Sequence, residues 1–291
     1  MYPPRFRYEA PKTIEGAINL LSEGAGDAKV LAGGQSLIPL LKLRFASPTL
    51  LVDINEISGL DYLDFGADGS IRIGALCRHS ALEQSEELKV RQPVMAAAAA
   101  LVADPIVRNR GTLVGSLCHA DPQGDWAAVM VALGGSLVVQ GPQGRRTIPT
   151  SELVHGPFQN ALAHHEIGIE ATVPAPQGVP MGGYLKLERR IGDFATVAVA
   201  VSVDMQGDSV ARAGIGLVAV GPKTIDATDA AASLVGGRIT ADTISTAADL
   251  AAGAAKPRTD HRGSADYKKH IVHTFVTRIL TRVAASIEKA A

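Results

Sequence analysis

The chain has 291 residues, 46% of them hydrophobic and 20% charged, the balance of a globular protein with ample core and length for two ordinary domains. Its 28 basic and 29 acidic residues leave a net charge of −1, so no global field favours nucleic acid or an anionic membrane. No apolar run reaches spanning length, MYPPRFRYEAPKT lacks a signal core, and Cys77 and Cys118 are too few for an iron–sulfur cluster or a four-cysteine zinc site; they read as buried thiols of a cytosolic protein.

Thr13 reads as the N-cap of a helix with Ile14, Ile18 and Leu21 on one face and Gly24 as its stop. A strand at Lys29–Leu31 follows, then Gly33 and Gly34, then a helix over Leu37–Arg44 with Pro39 in its first turn. Strand, glycine turn and helix start point free backbone N–H groups at an anion, and glycines let a phosphate approach without a Cβ in the way. A GG pair alone also serves as an ordinary tight turn. LLVDI at Leu50–Ile54 is continuous rather than alternating, which predicts a buried strand.

Tyr62–Phe65 and Ser70–Gly74 flank Gly66-Ala67-Asp68-Gly69 and predict a hairpin. Helices are expected at Ser80–Ser85 and Pro93–Ala103, the second carrying an alanine run that permits close packing on a sheet.

The segment DPIVRNRGTLVGSLCHADPQGD, Asp104–Asp125, is rich in glycine and small polar residues. Gly111, Gly115 and Ser116 predict a second loop of backbone donors, to which Thr112 and Ser116 add hydroxyls. Asp121, Asp125 and His119 make a poor metal cage; a capping or solvated role, or acceptance of hydrogen bonds from a sugar or ribityl hydroxyl, suits the aspartates better. Two glycine loops some eighty residues apart suit a dinucleotide gripped from two lobes.

Ser136–Gln140 and Arg145–Ile148 predict a further hairpin, and Glu166–Val173 a last strand before the linker Pro174–Gly178. Beyond it lie three strand candidates (Gly183–Arg189, Val197–Val203, Arg212–Val220) and helices at Thr228–Leu234 and Ala241–Ala252. A final helix from Ser264 carries the stripe Tyr267, Ile271, Phe275, Ile279, Val283.

Four stretches carry a family resemblance: AGGQSLIP at 32–39, RNRGTLVGSLCHADPQGD at 108–125, YLKLERRIGDFATVAVAV at 184–201 and DHRGSADYKKH at 260–270. In order and spacing they resemble the FAD-binding medium subunits of the molybdenum hydroxylases, the xanthine dehydrogenase and carbon monoxide dehydrogenase type, over essentially the whole chain. The resemblance implies an α+β fold. A two-lobe FAD-binding domain of PCMH type would occupy 1–176, its lobes about 1–57 and 58–176. A smaller C-terminal α/β domain at 177–291 would have a three-stranded sheet and helices.

By position, Ala32, Gly33, Gly34, Gln35, Ser36 and Leu37 would meet the FAD pyrophosphate through the backbone, and Thr112, Val114, Gly115 and Ser116 would do likewise from the second lobe. Asp125 matches an aspartate on the ribityl or adenosine side, Ile169 an apolar position whose backbone touches FAD, and Lys186 a lysine near the isoalloxazine edge. Without the resemblance, Lys186 reads as a surface lysine on a strand. Val114 stands where the family has the first glycine of a pair, which requires a negative φ and a side chain turned from the phosphate. Gln35 replaces a histidine common in carbon monoxide dehydrogenases, which favours relatives acting on N-heterocycles or aldehydes.

The implied task is electron transfer. FAD, held non-covalently because the first loop has no histidine, would take electrons from a partner's [2Fe–2S] cluster and pass them to an external acceptor. Molybdopterin and the clusters would reside in a large and a small subunit, assembled as a dimer of heterotrimers, and this chain would hold no metal and no catalytic residue. A stand-alone two-lobe FAD oxidase and a flavin-free scaffold are the alternatives; the missing histidine counts against the first and the intact glycine loops against the second.

Overall fold

The computed structural model describes residues 2–290. The first lobe is a small parallel sheet. Strands β1 (Arg7–Glu9), β2 (Ala28–Leu31) and β3 (Leu50–Asp53) pair in the order β1-β3-β2, crossed by helices α1 (Ile14–Glu23) and α2 (Leu37–Leu43). Thr13 caps α1 as expected, its hydroxyl accepting from Gly16 N at 3.0 Å. Gly24 closes the helix in right-handed geometry; the left-handed turn falls on Ala25 and Gly26. The continuous apolar run of β3 is buried from Leu50 to Val52.

The second lobe is antiparallel. Its five strands run β4-β5-β10-β6-β7: β4 (Leu63–Phe65), β5 (Ile71–Gly74), β6 (Ser136–Gly141), β7 (Gly144–Pro149) and β10 (Ile167–Val173). The two expected hairpins are β4–β5 and β6–β7. A side hairpin of β8 (Val154–Gly156) and β9 (Gln159–Asn160) follows the one-turn helix α9 (Thr150–Leu153). Between β5 and β6 come six helices: α3 (His79–Gln84), α4 (Glu86–Arg91), α5 (Pro93–Ala99), α6 (Pro105–Arg108), α7 (Leu113–His119) and α8 (Asp125–Ala132). The helix expected to reach Ala103 stops at Ala99, because the turn through Val102 and Ala103 gives both carbonyls to the guanidinium of Arg108.

The C-terminal sheet is built from β11 (Val179–Leu187), β12 (Val197–Gln206) and β13 (Ser209–Val218), the three expected strands, antiparallel. A two-residue strand, β14 (Ile225–Asp226), adds a fourth, too short to leave a periodic signal. Helices α10 (Thr228–Ala232), α11 (Ala241–Ala254) and α12 (Ala265–Ala290) complete the chain. On α12 the buried stripe runs through Val272, Phe275, Val276, Ile279, Leu280 and Val283; Tyr267 is exposed at its start, contrary to expectation.

The sequence VAVAVSV of β12 explains how the halves meet. Its valines 197, 199, 201 and 203 join the core formed with α11 and α12, whereas Ala198 and Ala200 join the core of the FAD-type half. Small side chains on that face let helices come close, and α8 comes closest over β13. A Cβ on Gly214 would stand 2.0 Å from the carbonyl oxygen of Ala132, and one on Gly216 2.0 Å from that of Ala128. These glycines set the height of α8, and with it the position of Asp125 at its first residue.

A second tie fixes the start of α8. Trp126 is fully buried and its indole Nε1 donates to His79 Nδ1 at 3.0 Å, so the imidazole proton sits on Nε2. Burial first, then the charges of Arg108 and Arg78, push the His79 pKa down to about 4, and the ring is neutral.

Two outcomes follow. Gly216→Ala forces a methyl into the α8 backbone and should cost about 3 kcal/mol, the upper end of overpacking; a wild-type midpoint of chemical denaturation would show that α8 does not rest on this glycine. His79 takes no proton in the fold until about pH 4, whereas the unfolded chain binds one below about 6.5. Its contribution is therefore present above pH 6.5 and lost as pH falls through that window, roughly 3 kcal/mol in total. His79→Gln should flatten the stability profile between those limits, and an unchanged slope would remove His79 from the acid response.

Candidate functional site

The two expected glycine stretches meet. Gly33 lies so close to the second that a Cβ on it would stand 2.2 Å from the carbonyl oxygen of Arg110 and 2.8 Å from the Cα of Gly111. Glycine is therefore needed at 33 for the other loop's backbone, a reason the sequence alone does not supply. Gly34 has φ +73°, and its missing side chain spares both strain and contacts of 3.1 Å with Leu31 and Ile38.

Two side chains that sequence reasoning missed hold the loops together. Asn55 Nδ2 donates to Ala32 O at 2.8 Å. Arg78 spans the gap, with Nη2 on Asn55 Oδ1 at 2.6 Å and Nη1 on Arg110 O at 2.7 Å. Asp53 steadies Asn55 through its main-chain and side-chain nitrogens. Gln35 folds back, its Nε2 3.2 Å from Gly33 O. The join is a lattice of side-chain bonds to carbonyls, which leaves N–H groups for other use.

The N–H groups of Gly33, Gly34, Gln35, Ser36 and Leu37 find no acceptor among the described residues; the first in this turn to do so is Ile38, on Gly34 O at 2.9 Å. Ser36 stands at the N-cap position of α2 without capping it, so its exposed hydroxyl is also unspent.

The second stretch is a helix start rather than the expected loop. Thr112 caps α7, its hydroxyl accepting from Gly115 N at 3.1 Å, and Ser116 N bonds Thr112 O. Gly115 and Ser116 are thus in the helix with their amides used, a correction to the reading of both as loop donors. Thr112 N and Val114 N remain without an acceptor among the described residues. Val114 has its helical φ and a buried side chain that packs beside Gly168, so the branched Cβ points into the core. Gly111 lies over the His79 ring, 2.7 Å from where its Cβ would be, and ties the loop to α8 through Trp126.

Asp125 and Lys186 form a second cluster. Lys186 Nζ is 3.1 Å from Asp125 Oδ2, 3.1 Å from Leu101 O and 3.5 Å from Glu188 Oε2. Its side chain is only 2% exposed, which overturns the surface-lysine reading. Tyr184, also missed in the sequence, donates its hydroxyl to Asp125 Oδ1 at 2.5 Å. Burial raises the Asp125 carboxyl above its ordinary range, with Lys186 and Tyr184 pulling it back. The phenol of Tyr184 is held well above its ordinary value by burial and by the neighbouring carboxylate. One cation, two carboxylates and a fixed hydroxyl donor thus lie where β11 meets α8.

Ile169 takes part in neither hydrogen-bond network. It is the extra residue of a bulge between Gly168 and Glu170, its carbonyl accepts from Ala75 N at 3.0 Å, and it lines a cavity of about 240 Å³ with Tyr62, Arg72 and Glu170. Both cysteines are free thiols, raised by burial to about 12. No helix among the described residues is long and apolar enough to cross a membrane.

Comparison with known proteins agrees with this arrangement. Residues 4–176 match the family described as "FAD binding domain in molybdopterin dehydrogenase", and residues 183–283 match "CO dehydrogenase flavoprotein C-terminal domain". The chain is 40% identical to the carbon monoxide dehydrogenase medium chain of Hydrogenophaga pseudoflava over 281 residues, 96% of this chain and 97% of that one. Among solved structures, carbon monoxide dehydrogenase from the same organism superposes with a TM-score of 0.92 at 40% identity, covering 97% and 98% of the two chains. Quinoline 2-oxidoreductase from Pseudomonas putida 86 gives 0.90 at 32% identity over 99% of each chain. With unspent amides at the joined loops, and with both halves matched in order, the chain belongs to the FAD-binding medium subunits of the molybdenum hydroxylases.

Proposed function

We propose that this subunit holds FAD non-covalently and carries electrons from a partner's [2Fe–2S] cluster to an external acceptor. The observation that carries the reading is the run of five unspent amides, Gly33 to Leu37, lying against the second stretch with its free Thr112 and Val114 amides. Such a cradle fits a pyrophosphate, whose charged oxygens take several backbone donors at once. Ala32, the Ser36 hydroxyl, Gly115 and Ser116 complete its walls. No histidine lies between Ala32 and Leu37 to form a covalent link.

The flavin end belongs at the Asp125–Lys186 cluster. There the Lys186 ammonium would stabilise negative charge at the ring edge, and Asp125 would meet the ribityl or adenosine hydroxyls. Ile169 would meet the cofactor through its bulged backbone. Bound FAD exchanges electrons singly or in pairs, which suits a subunit between a one-electron cluster and a two-electron acceptor. The clusters and the molybdopterin must come from other chains, since two cysteines cannot supply four thiolates per cluster. A large molybdenum subunit and a small iron–sulfur subunit, doubled into a dimer of heterotrimers, are the partners we propose, in a cytosol that keeps both thiols reduced.

The reading is tested on the purified chain loaded with FAD. Acid precipitation should leave the flavin in the supernatant. Under anaerobic conditions carbon monoxide, N-heterocycles and aldehydes should all fail to bleach the flavin until both partner subunits are added. Bleaching by the chain alone, free of iron and molybdenum by metal analysis, would promote the stand-alone oxidase; a chain that never takes up FAD would promote the scaffold.

A further inference from the structure

Tyr184 is assigned no role by the resemblance or by the cradle, yet it makes the closest polar contact in the second cluster. We infer that Tyr184 is a positioning residue: its hydroxyl proton, given to Oδ1, keeps Asp125 ionised and turned so that Oδ2 holds Lys186. The consequence for FAD rests on the functional reading above. The effect on Asp125 is a property of the chain without cofactor.

Asp125 is 8% exposed and opens α8 from Gly124, whose position provides no capping side chain. Among the described residues it has two hydrogen-bond donors from side chains, the Tyr184 hydroxyl and the Lys186 ammonium. The ammonium is shared. Glu188, the residue just past the end of β11, approaches it with an Oε2 that is buried and has no hydrogen-bond partner among the described residues. From the turn after α5 comes only a neutral group, the Leu101 carbonyl, also on Nζ. One cation therefore faces two carboxylates, and among the described residues no other charged side chain pairs with them.

The Tyr184 proton is what tips Asp125 towards its charged form. A buried phenol beside a carboxylate does not give up its proton, so the hydroxyl is a donor at any working pH. Hydrogen bonding to the charged form of an acid favours that form. Without the hydroxyl, Oδ1 is buried with no donor, the carboxyl takes up a proton at higher pH, and Lys186 is left to Glu188. The bond also crosses between α8 and β11, so the C-terminal half controls the charge of a residue in the first half.

Tyr184→Phe removes the hydroxyl and keeps the ring. Asp125 is followed by infrared pH titration of the full chain without cofactor, its carboxyl band isolated by subtracting Asp125→Asn in each background. The midpoint should rise by about one unit in Tyr184→Phe, roughly a tenfold change in proton affinity; an unmoved midpoint overturns the assignment. FAD affinity, read by fluorescence over the same pH range, should match wild type above the shifted midpoint and fall about tenfold below it. An equal loss at every pH would give Tyr184 a packing role alone and also overturn the assignment. A wild-type chain that takes up no FAD at any pH would instead overturn the functional reading, while the infrared midpoints still decide Tyr184.

Discussion

The contact on which the site depends is that of the Gly33 backbone against the carbonyl of Arg110. Two polypeptide segments from different lobes lie closer than any side chain permits, and each has its carbonyls tied down by Asn55 and Arg78. Bonding of that kind consumes acceptors and spares donors. The amides of Gly33 to Leu37 are left over as a consequence, and a buried or half-buried amide without a partner is costly unless a ligand or water satisfies it. The affinity for an anion that we propose at this place would follow from the way the lobes are joined.

The same logic holds further into the molecule. Gly111 rests on His79, His79 accepts from Trp126, and Trp126 follows Asp125 at the head of α8. Helix α8 in turn sits on Gly214 and Gly216 of the C-terminal sheet, which brings Tyr184 and Lys186 to Asp125. A buried ion pair of this sort adds little net stability, because desolvation offsets most of its attraction, but removing one partner strands the other at a cost of about 3–5 kcal/mol. Its value lies in geometry: the cation is held among Asp125, Glu188 and the Leu101 carbonyl. The joined loops and the ion pair are thereby held in one frame built from glycines and short side-chain bonds.

Much of this frame was legible in the residues. The Thr13 cap, the strand–glycine–helix passage through Gly34 and the two long hairpins follow from local rules of capping, periodicity and turn chemistry, and each stands where those rules put it. The segment from Asp104 to Asp125 reads as a glycine-rich loop, since two short helices capped by Asp104 and Thr112 look like one residue by residue. Lys186 reads as a surface lysine in the sequence; the packing of β11 against α5 and the bond to Asp125 at the head of α8 bury it. Asn55, Arg78 and Tyr184 act across sequence separations of 23 to 59 residues, where no local pattern can reveal a partner. The family resemblance supplied Asp125 and Lys186 as cofactor neighbours, but not the bond between them.

That the unspent amides of the joined loops hold the cofactor's pyrophosphate is tested directly by amide hydrogen exchange. Addition of FAD to the full chain should slow exchange at Gly33, Gly34, Gln35, Ser36 and Leu37, and at Thr112 and Val114, while Ile38, already bonded to Gly34, changes little. Unchanged exchange at these amides, with protection appearing instead around the cavity lined by Tyr62, Arg72 and Glu170, would contradict it.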